Sequence, residues 1–415
     1  MLFKSEGPVP TEGELAEHLR RFLTEERPRR QRLWDYYLGE QGVPKGRVVP
    51  GRPNNHLTSN YAKYITDVQT GYFMGVPPTF SFQGKRVQER MTRALADASL
   101  GTRLYDAARD MSVCGEGFLT VWPAEDGLRL ARLDPCETFA VTSGILGAET
   151  AAVRVRPLRD GGAEGELYLP GCRRALTYDG RAVTLGPPQP LPLRGLCVSR
   201  FCNNLPLRGD FEPVLSLLDA YNLLLSGAMD DMQSVANAFL ALYGMLGTSR
   251  EDIERANLTR VLTLSENGRA EFVVKNLNPA ALELLQKTLV DDLLLLTMTP
   301  NLNDRSFAGN SSGVALEYKL WGAEQARAAK ERGFSGGLYH LIALFYEGLN
   351  LLGGAVGGPC TARFYKNLPQ DLTALCANLS ALGDTISRRT RLELLPFVSD
   401  PDEELNRLEE ERQHG

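Results

Sequence analysis

Apolar positions are spaced most regularly in two segments near the middle of the chain. In residues 214–242 they recur at alternating intervals of four and three, and a similar stripe runs through residues 282–296. This spacing places apolar side chains along one narrow face of a helix, as in helices that pack side by side. Asn278 and Pro279 supply a cap and a first helical residue for the second helix. The pattern predicts an antiparallel pair of long helices.

The segment between these helices predicts a small α/β insert. The sequence from Thr248 to Glu251 matches a capping box, which opens a short helix. Asn267-Gly268 separates two β-prone runs, 261–266 and 269–274. A type I′ turn needs positive φ at both central residues, and Asn-Gly is the pair that supplies it most readily. We therefore expect a hairpin here, carried at the tip of the helical pair.

The first half of the chain has a mixed pattern. Helical spacing over 14–38 and 57–74 is followed by alternating apolar and basic residues, for example over 153–156, which predict half-buried strands. Residues 1 to 205 therefore form one α+β unit. Asp210 is the predicted N-cap of the first long helix, with Pro213 in its first turn.

The pattern changes again after the second long helix. Residues 301–313 lack apolar periodicity and are rich in turn formers, so they predict a loop. A long helix follows from Val314, and the glycines at 333, 336 and 337 are expected to bend or break it before it resumes to Leu352. The remaining chain predicts short helices, one of them capped by Ser387.

Composition and charge narrow the classes of partner. The chain has 415 residues, 43% hydrophobic and 23% charged, which is an ordinary soluble balance. Its net charge of −5 lacks the basic excess that tight binding of nucleic acid requires, so charge alone favours no nucleic-acid partner. The arginines of 27–32 are more typical of a solvated face or an inter-subunit surface than of a DNA patch. Residues 337–358 contain His340 and Glu347 and predict a buried helix, with no membrane span.

Candidate chemistry is scarce. Seven irregularly spaced cysteines and four unpaired histidines predict reduced thiols and no zinc site. The acidic pairs Asp230-Asp231 and Asp291-Asp292 lie on the two long helices, where neighbouring side chains diverge, so they favour a solvated or channel-facing edge over a metal site. Phosphate-binding loops and nucleophile elbows are absent. We predict no catalytic residue, no metal and no cofactor.

Short segments distributed over nearly the whole chain carry a resemblance to a known family. They are YYLG at 36–39, PNNHL at 53–57, NYAKYI at 60–65, GYFMG at 71–75, DAYN at 219–222, MTPNL at 298–302, FAGN at 307–310, SGVAL at 312–316, YKLWG at 318–322 and LPFV at 395–398. In this order they resemble the portal proteins of long-tailed double-stranded DNA phages of Gram-positive hosts.

The resemblance implies an α+β portal fold with a mixed α/β wing, an antiparallel helical stem, a small α/β clip with a hairpin, a long kinked helix and a helical crown. Carried onto this sequence, the parts are a wing at 1–210, stem helices at 211–242 and 277–300, a clip at 243–276, a tunnel loop at 301–313, a long helix and wing return at 314–366, and a crown at 367–415.

The resemblance also implies a function without enzymatic activity. Portal subunits form a homo-oligomeric ring of about twelve copies at one capsid vertex, through which double-stranded DNA is packaged and ejected. The implied partners are the terminase large subunit, head-completion or adaptor proteins, and the major capsid and scaffolding proteins. The implied location is the virion, with assembly in the host cytoplasm. Twelve chains of charge −5 would carry about −60 and guide DNA with little affinity.

Two sets of residues are candidates for these contacts. For DNA in the tunnel loop, with Arg305 as the main phosphate contact, they are Asn303, Asp304, Arg305, Ser306, Asn310 and Ser311. For docking of partners at the clip, they are Glu251, Glu254, Arg255, Glu266, Asn267, Gly268 and Arg269.

Two alternatives come from other classes of protein. A DNA-processing enzyme of a phage head module would need converging carboxylates or histidines, which the sequence does not offer. A coiled-coil scaffold without a DNA role would account for the heptad stripe alone.

Overall fold

The computed structural model divides the chain into two compact units, Met1–Lys366 and Asn367–Gly415. The residues that it describes are 3–43, 53–124, 127–143, 148–159, 161–236, 239–243, 249–259, 269–273, 278–303, 313–367, 372–395, 398 and 401–414.

Both units contain helices. They are α1 (Glu12–Arg21), continued by a π-helical turn (Phe22–Glu26) into α2 (Arg27–Leu38), then α3 (Tyr61–Met74), α4 (Lys85–Asp97), α5 (Leu100–Cys114), α6 (Leu215–Ala236), α7 (Arg250–Thr259), α8 (Pro279–Leu296), α9 (Gly313–Leu351), α10 (Leu372–Ala381), α11 (Arg388–Glu393) and α12 (Pro401–His414).

The strands in the described part of the chain form four sheets. They are β1 (Phe3–Ser5), β2 (Thr79–Phe82), β3 (Glu116–Ala124), β4 (Gly127–Leu133), β5 (Thr138–Ser143), β6 (Glu149–Pro157), β7 (Ala163–Leu169), β8 (Cys172–Tyr178), β9 (Val183–Leu185), β10 (Gln189–Pro190), β11 (Val198–Cys202), β12 (Phe239–Tyr243), β13 (Arg269–Val273) and β14 (Cys360–Arg363). The largest sheet has the order β1-β5-β6-β7-β8-β10 with β9 on β8, and the others are β11-β3-β4, β12-β13 and β14-β2.

The largest sheet packs one face against α1. Alternation along β6 buries Val153 and Val155 in this core, together with Leu15, Leu19 and Phe139. Arg154 and Arg156, which alternate with these valines, face the other way, as the apolar-basic alternation predicts. The mixed α+β character of the first half of the chain is confirmed by these elements.

The main core lies between the β11-β3-β4 sheet, α5 and α9. Phe118 of β3 and Phe201 of β11 are fully buried there with Phe334, Leu338 and Phe345 of α9. The rings of Phe201 and Phe334 lie 4.5 Å apart. The long helix is therefore part of the core of the first unit over its second half.

The prediction that glycines break α9 is wrong, because the helix runs without interruption over 39 residues. Gly333 and Gly337 face the edge strand β11 instead. A Cβ added to them would lie 2.2 Å from the carbonyl oxygen of Cys202 and 2.1 Å from that of Arg200. These glycines allow the helix backbone to approach the strand backbone closely, which a larger residue would prevent.

Arg30 of the basic cluster in α2 is buried and Arg29 is partly buried, and both are paired within the subunit, so the predicted solvated or inter-subunit face is wrong for them. Arg30 is fully buried and donates to Glu116 of β3 and to the carbonyl oxygens of Pro135 and Thr138. Arg29 donates to Glu212 at 2.8 Å. Burying a charge is costly unless it is paired, so these arginines tie α2 to the sheet and to the start of α6.

The start and the end of the first long helix both differ from the prediction. Asp210 does not cap it; its carboxylate accepts from Ser112, from Asn203 and from Lys330 of α9. The helical stripe was expected to reach residue 242, but α6 ends at Ala236 and β12 follows. The sequence FLALY of β12 fits a strand as well as a helix, and its pairing with β13 decides for the strand.

The second unit consists of short helices, as predicted. Ser387 caps α11, since its hydroxyl accepts the backbone N–H of Thr390 at 3.2 Å. The acidic and basic side chains of α12 include an ion pair between Arg407 and Glu404 at 3.6 Å.

We expect Gly337→Ala to lower the free energy of unfolding by about 3 kcal/mol, because its Cβ would overlap a strand carbonyl that cannot move aside. Gly336→Ala is the matched control. A Cβ there has nothing within 4 Å, so it should be neutral or stabilise the helix by up to about 1 kcal/mol. Denaturant unfolding of the two variants checks this, and equal stability of both would contradict the close-approach argument.

Candidate channel and docking surfaces

The two long helices α6 and α8 pack against each other. Leu218 and Leu293 are buried in one cluster, and the amide of Gln286 donates to the hydroxyl of Tyr221 at 3.3 Å. Contacts that advance along α6 move backward along α8, so the helices run antiparallel, as predicted. Asn278 caps α8 by accepting the backbone N–H of Ala281 at 3.2 Å, again as predicted.

Much of the surface of this helical pair is apolar and exposed. On α8, Leu284, Leu295 and Leu296 are 67%, 74% and 62% exposed. On α6, Met229 and Met232 are exposed as well. Large apolar side chains that are exposed on neighbouring helices are normally covered by another element, so this surface calls for a partner.

An extended segment, residues 53–60, lies along α6; we call it the strap. The side chains of Asn222, Ser226 and Asp230 accept backbone N–H groups of the strap at 2.8, 2.9 and 2.7 Å. The donors are Ser59, Leu57 and Asn55, in that order. Two extended residues span about 6.7 Å and four helical residues about 6 Å, so every second strap residue meets every fourth helix residue.

The end of α8, where the predicted tunnel loop begins, is attached to α3. The side-chain amide of Gln69 donates to the carbonyl oxygens of Thr297 at 3.0 Å and Met298 at 3.3 Å. The hydroxyl of Tyr64 donates to the carbonyl oxygen of Pro300 at 2.8 Å and accepts the N–H of Leu302 at 3.0 Å.

The helix that follows the loop is attached to the same α3. The hydroxyl of Tyr72 donates to Glu324 of α9 at 3.0 Å, and burial together with this bond raises the pKa of Tyr72 to about 12. Burial acts to raise the pKa of Glu324, but the hydrogen bonds from Arg327 and Tyr72 lower it overall. Glu324 is therefore charged at neutral pH, and both sides of the loop are anchored on one helix.

Comparison with known proteins assigns this architecture to a family. A family model described as phage portal protein, SPP1 Gp6-like, matches residues 17–415. The chain belongs to the phage portal protein family.

The individual proteins to which this portal protein is similar have low sequence identity to it. The portal protein of Bacillus phage SPP1 is 25% identical over 429 residues, which cover 91% of this chain and 82% of that protein. The neck of a native GTA particle, computed with C12 symmetry, is 12% identical with a TM-score of 0.47 and covers 81% of this chain and 89% of its own. The neck of an empty GTA particle, computed with C6 symmetry, is 13% identical with the same TM-score and covers 82% and 91%.

Family membership confirms the predicted identity and function of the chain as a portal protein, a channel for genome packaging. It also confirms the α+β fold class, and it does not favour the DNA-processing enzyme or the coiled-coil scaffold. Portal proteins are structural components of the particle. Within the described part of the chain, no three His, Cys, Asp or Glu side chains come together as a metal site. In the same residues, every helix is too short or too polar to cross a membrane.

One of the six residues predicted to touch DNA lies in the described part of the chain. Asn303 is exposed just after the segment held by Tyr64, and its N–H donates to the side chain of Asn301 at 3.1 Å. The other five lie outside the described residues; they are Asp304, Arg305, Ser306, Asn310 and Ser311.

Part of the predicted docking set is placed on the insert between α6 and α8. Glu251, Glu254 and Arg255 are exposed on α7, where Glu254 pairs with Arg250 at 3.2 Å. Arg269 opens β13 and pairs with Glu271 at 2.6 Å. Glu266, Asn267 and Gly268 lie outside the described residues, as does the run 261–266, so the predicted hairpin at Asn267-Gly268 stays a prediction.

Sequence reasoning missed the residues that attach α6 and α8 to the strap and to α3. Gln69, Asn222 and Ser226 are polar residues on helices, which a single sequence does not distinguish from a solvated face. Their buried positions at 3%, 1% and 0% exposure reveal the role. The available signal was spacing, since Asn222, Ser226 and Asp230 recur every four residues beside the apolar stripe.

We expect Ser226→Ala to lower the free energy of unfolding by about 1–2 kcal/mol, because it leaves the N–H of Leu57 without its acceptor. Ser234→Ala is the matched control on the same helix, where the hydroxyl is exposed and only donates to the carbonyl oxygen of Asp230. Its effect should stay within about 0.5 kcal/mol. Amide exchange at Leu57 reports the local change, and unaltered exchange in Ser226→Ala would refute the role of the strap contact.

Proposed function

We propose that this portal protein forms a closed ring of about twelve copies at one capsid vertex of the virion, with α6 and α8 as the stem that surrounds the channel. The observation that carries the proposal is the exposure of apolar side chains around α8, above all Leu284, Leu295 and Leu296. Burying a leucine is worth roughly 2 kcal/mol, so these residues favour association. Because phosphates and water cannot satisfy an apolar surface, the partner they fit is the stem of the next copy.

The tunnel loop is the proposed contact with DNA in transit. It follows the anchored segment that ends at Leu302, and it is rich in Asn, Ser and Gly. Short polar side chains offer brief hydrogen bonds to phosphates, and Arg305 offers one charged contact. With a chain charge of −5, the ring guides DNA without the counterion release that would hold it in place.

The insert between the stem helices is the proposed docking site for partners. Glu251, Glu254 and Arg255 are exposed on α7, and Arg269 and Glu271 form an exposed pair on β13. Exposed charges of both signs suit successive transient partners, because rim charges steer association without fixing it. We assign this surface first to the terminase large subunit and then to head-completion or adaptor proteins. Capsid and scaffolding proteins would contact the ring elsewhere during assembly in the host cytoplasm.

Negative charges introduced between the stems of neighbouring copies should prevent the ring from forming. In the double variant Leu284→Glu/Leu295→Glu, two carboxylates would have to be buried between neighbouring stems, at a cost of several kcal/mol. We expect the ring to give way to monomers in native mass measurements and in negative-stain images. Leu205→Glu is the control, since Leu205 is 90% exposed in a loop outside the helices. Rings of normal size from the double variant would reject the stem assignment.

Shortening the tunnel loop tests the DNA contact separately. Removing residues 304–310 deletes Arg305 and most of the loop while leaving the segment anchored by Tyr64. We expect rings to assemble normally, and particles built on them to package less DNA or to lose it after packaging. The measurement is DNA content per particle beside images of the rings, and normal content would count against this role of the loop.

A further inference from the structure

The junction between α8 and the tunnel loop contains a residue in an unfavourable backbone conformation. Met298 has φ of +53°, in the left-handed region. The turn closes α8 by two backbone hydrogen bonds, from Met298 N–H to Leu295 O at 3.1 Å and from Thr299 N–H to Leu294 O at 2.9 Å. Glycine normally occupies this position, since a residue with a Cβ pays roughly 1–2 kcal/mol there.

The side chain of Met298 does not explain why a methionine is held in this conformation. It is half exposed, so its burial contributes little. The backbone around it is held from outside the helix, by Gln69 of α3. A strained residue persists only where its surroundings fix it, so the contacts of Gln69 are the constraint to consider.

Gln69 is suited to this task by its burial and its orientation. It is 3% exposed, so its polar group must be satisfied within the protein. The two carbonyl oxygens beside it accept only, which assigns the donating Nε2 atom to that side. The same Nε2 lies 3.3 Å from the hydroxyl oxygen of Thr299, so the amide contacts three consecutive residues, Thr297 to Thr299.

Tyr64 extends the contact to the next part of the chain. Its hydroxyl binds Pro300 and Leu302. Together, Gln69 and Tyr64 attach five of the six residues from Thr297 to Leu302 to α3. The neighbouring strap is bound to α6 by its own backbone N–H groups, so α3 is itself held in place relative to the proposed stem.

We propose that Gln69 and Tyr64 are positioning residues for DNA passage: they hold the left-handed turn at Met298 and thereby fix where the tunnel loop leaves the stem. This inference rests on the proposed role of residues 301–313 as the tunnel loop. Without the contacts of Gln69 and Tyr64, the turn would relax toward backbone conformations that a methionine prefers. Force from the moving DNA on the loop is then borne by α3, and not by a single strained residue at the end of α8.

Gln69→Leu in the full-length chain tests the proposal. Leucine keeps most of the volume and removes all three contacts of the amide. We expect amide exchange at Thr299 to become about tenfold faster, because the loss of a buried hydrogen bond raises the population of the open turn by about that factor. In particles, we expect rings to assemble and the amount of packaged DNA to fall. Tyr64→Phe should act in the same direction at Leu302.

Tyr346→Phe is the matched control. Its hydroxyl is buried and has no hydrogen-bond partner in the described part of the chain, and it lies outside the loop and α3. It should leave exchange at Thr299 and DNA content unchanged. If Gln69→Leu behaved like this control, the proposal would be overturned. It would equally be overturned if exchange rose at all protected amides together, since that would indicate a general loss of stability.

A rescue variant separates positioning from packing. Glycine adopts the left-handed region freely, so adding Met298→Gly to Gln69→Leu should slow exchange at Thr299 back toward the value of the unchanged protein. If exchange at Thr299 did not recover, the inference would be overturned, because the contacts of Gln69 would then not be what holds this turn. Exchange at Thr299 can be measured whether or not rings form, so the result for Gln69 is distinguishable from a failure of the portal channel itself.

Discussion

The arrangement of α6 and α8, the proposed stem, depends on the hydrogen bonds made by one continuous segment, the strap and α3. The strap donates backbone N–H groups to Asn222, Ser226 and Asp230 on α6, and α3 holds the end of α8 through Gln69 and α9 through Tyr72. Buried polar groups are costly unless every one of them is paired, so these contacts define a single geometry. Residues 53–74 therefore connect α6 with α8 and α9, the two helices on either side of the proposed tunnel loop.

This segment also covers polar side chains of α6, whereas apolar side chains of α8 stay exposed. The polar face of α6 is satisfied within the subunit by the strap, while Leu284, Leu295 and Leu296 on α8 stay exposed. Apolar contact is not directional and tolerates small shifts between neighbours, whereas the hydrogen bonds fix positions inside each copy. In the ring that we propose, each subunit would be rigid and the contacts between subunits adjustable, which suits the proposed docking of different partners in succession.

The sequence predicted those features whose causes are local. The cap at Asn278, the helix predicted from the stripe of α8 and the alternation of β6 depend on neighbouring residues, and all three are confirmed. The errors have distant causes. The end of α6 at Ala236 depends on β13, more than thirty residues away, and the glycines of α9 are explained by β11, more than one hundred residues earlier. The contacts of Gln69 were missed for the same reason, because only the fold shows that this residue is buried.

The strap changes how the acidic residues of the stem are understood. Asp230 was expected at a solvated or channel-facing edge, but its carboxylate accepts both the N–H and the side-chain amide of Asn55 at 2.7 Å. This carboxylate is therefore part of the attachment of the strap to α6. Asp291 and Asp292 on α8, by contrast, are exposed. The acidic residues of the helical pair therefore differ in role, because Asp230 holds the strap whereas Asp291 and Asp292 stay exposed in the single subunit.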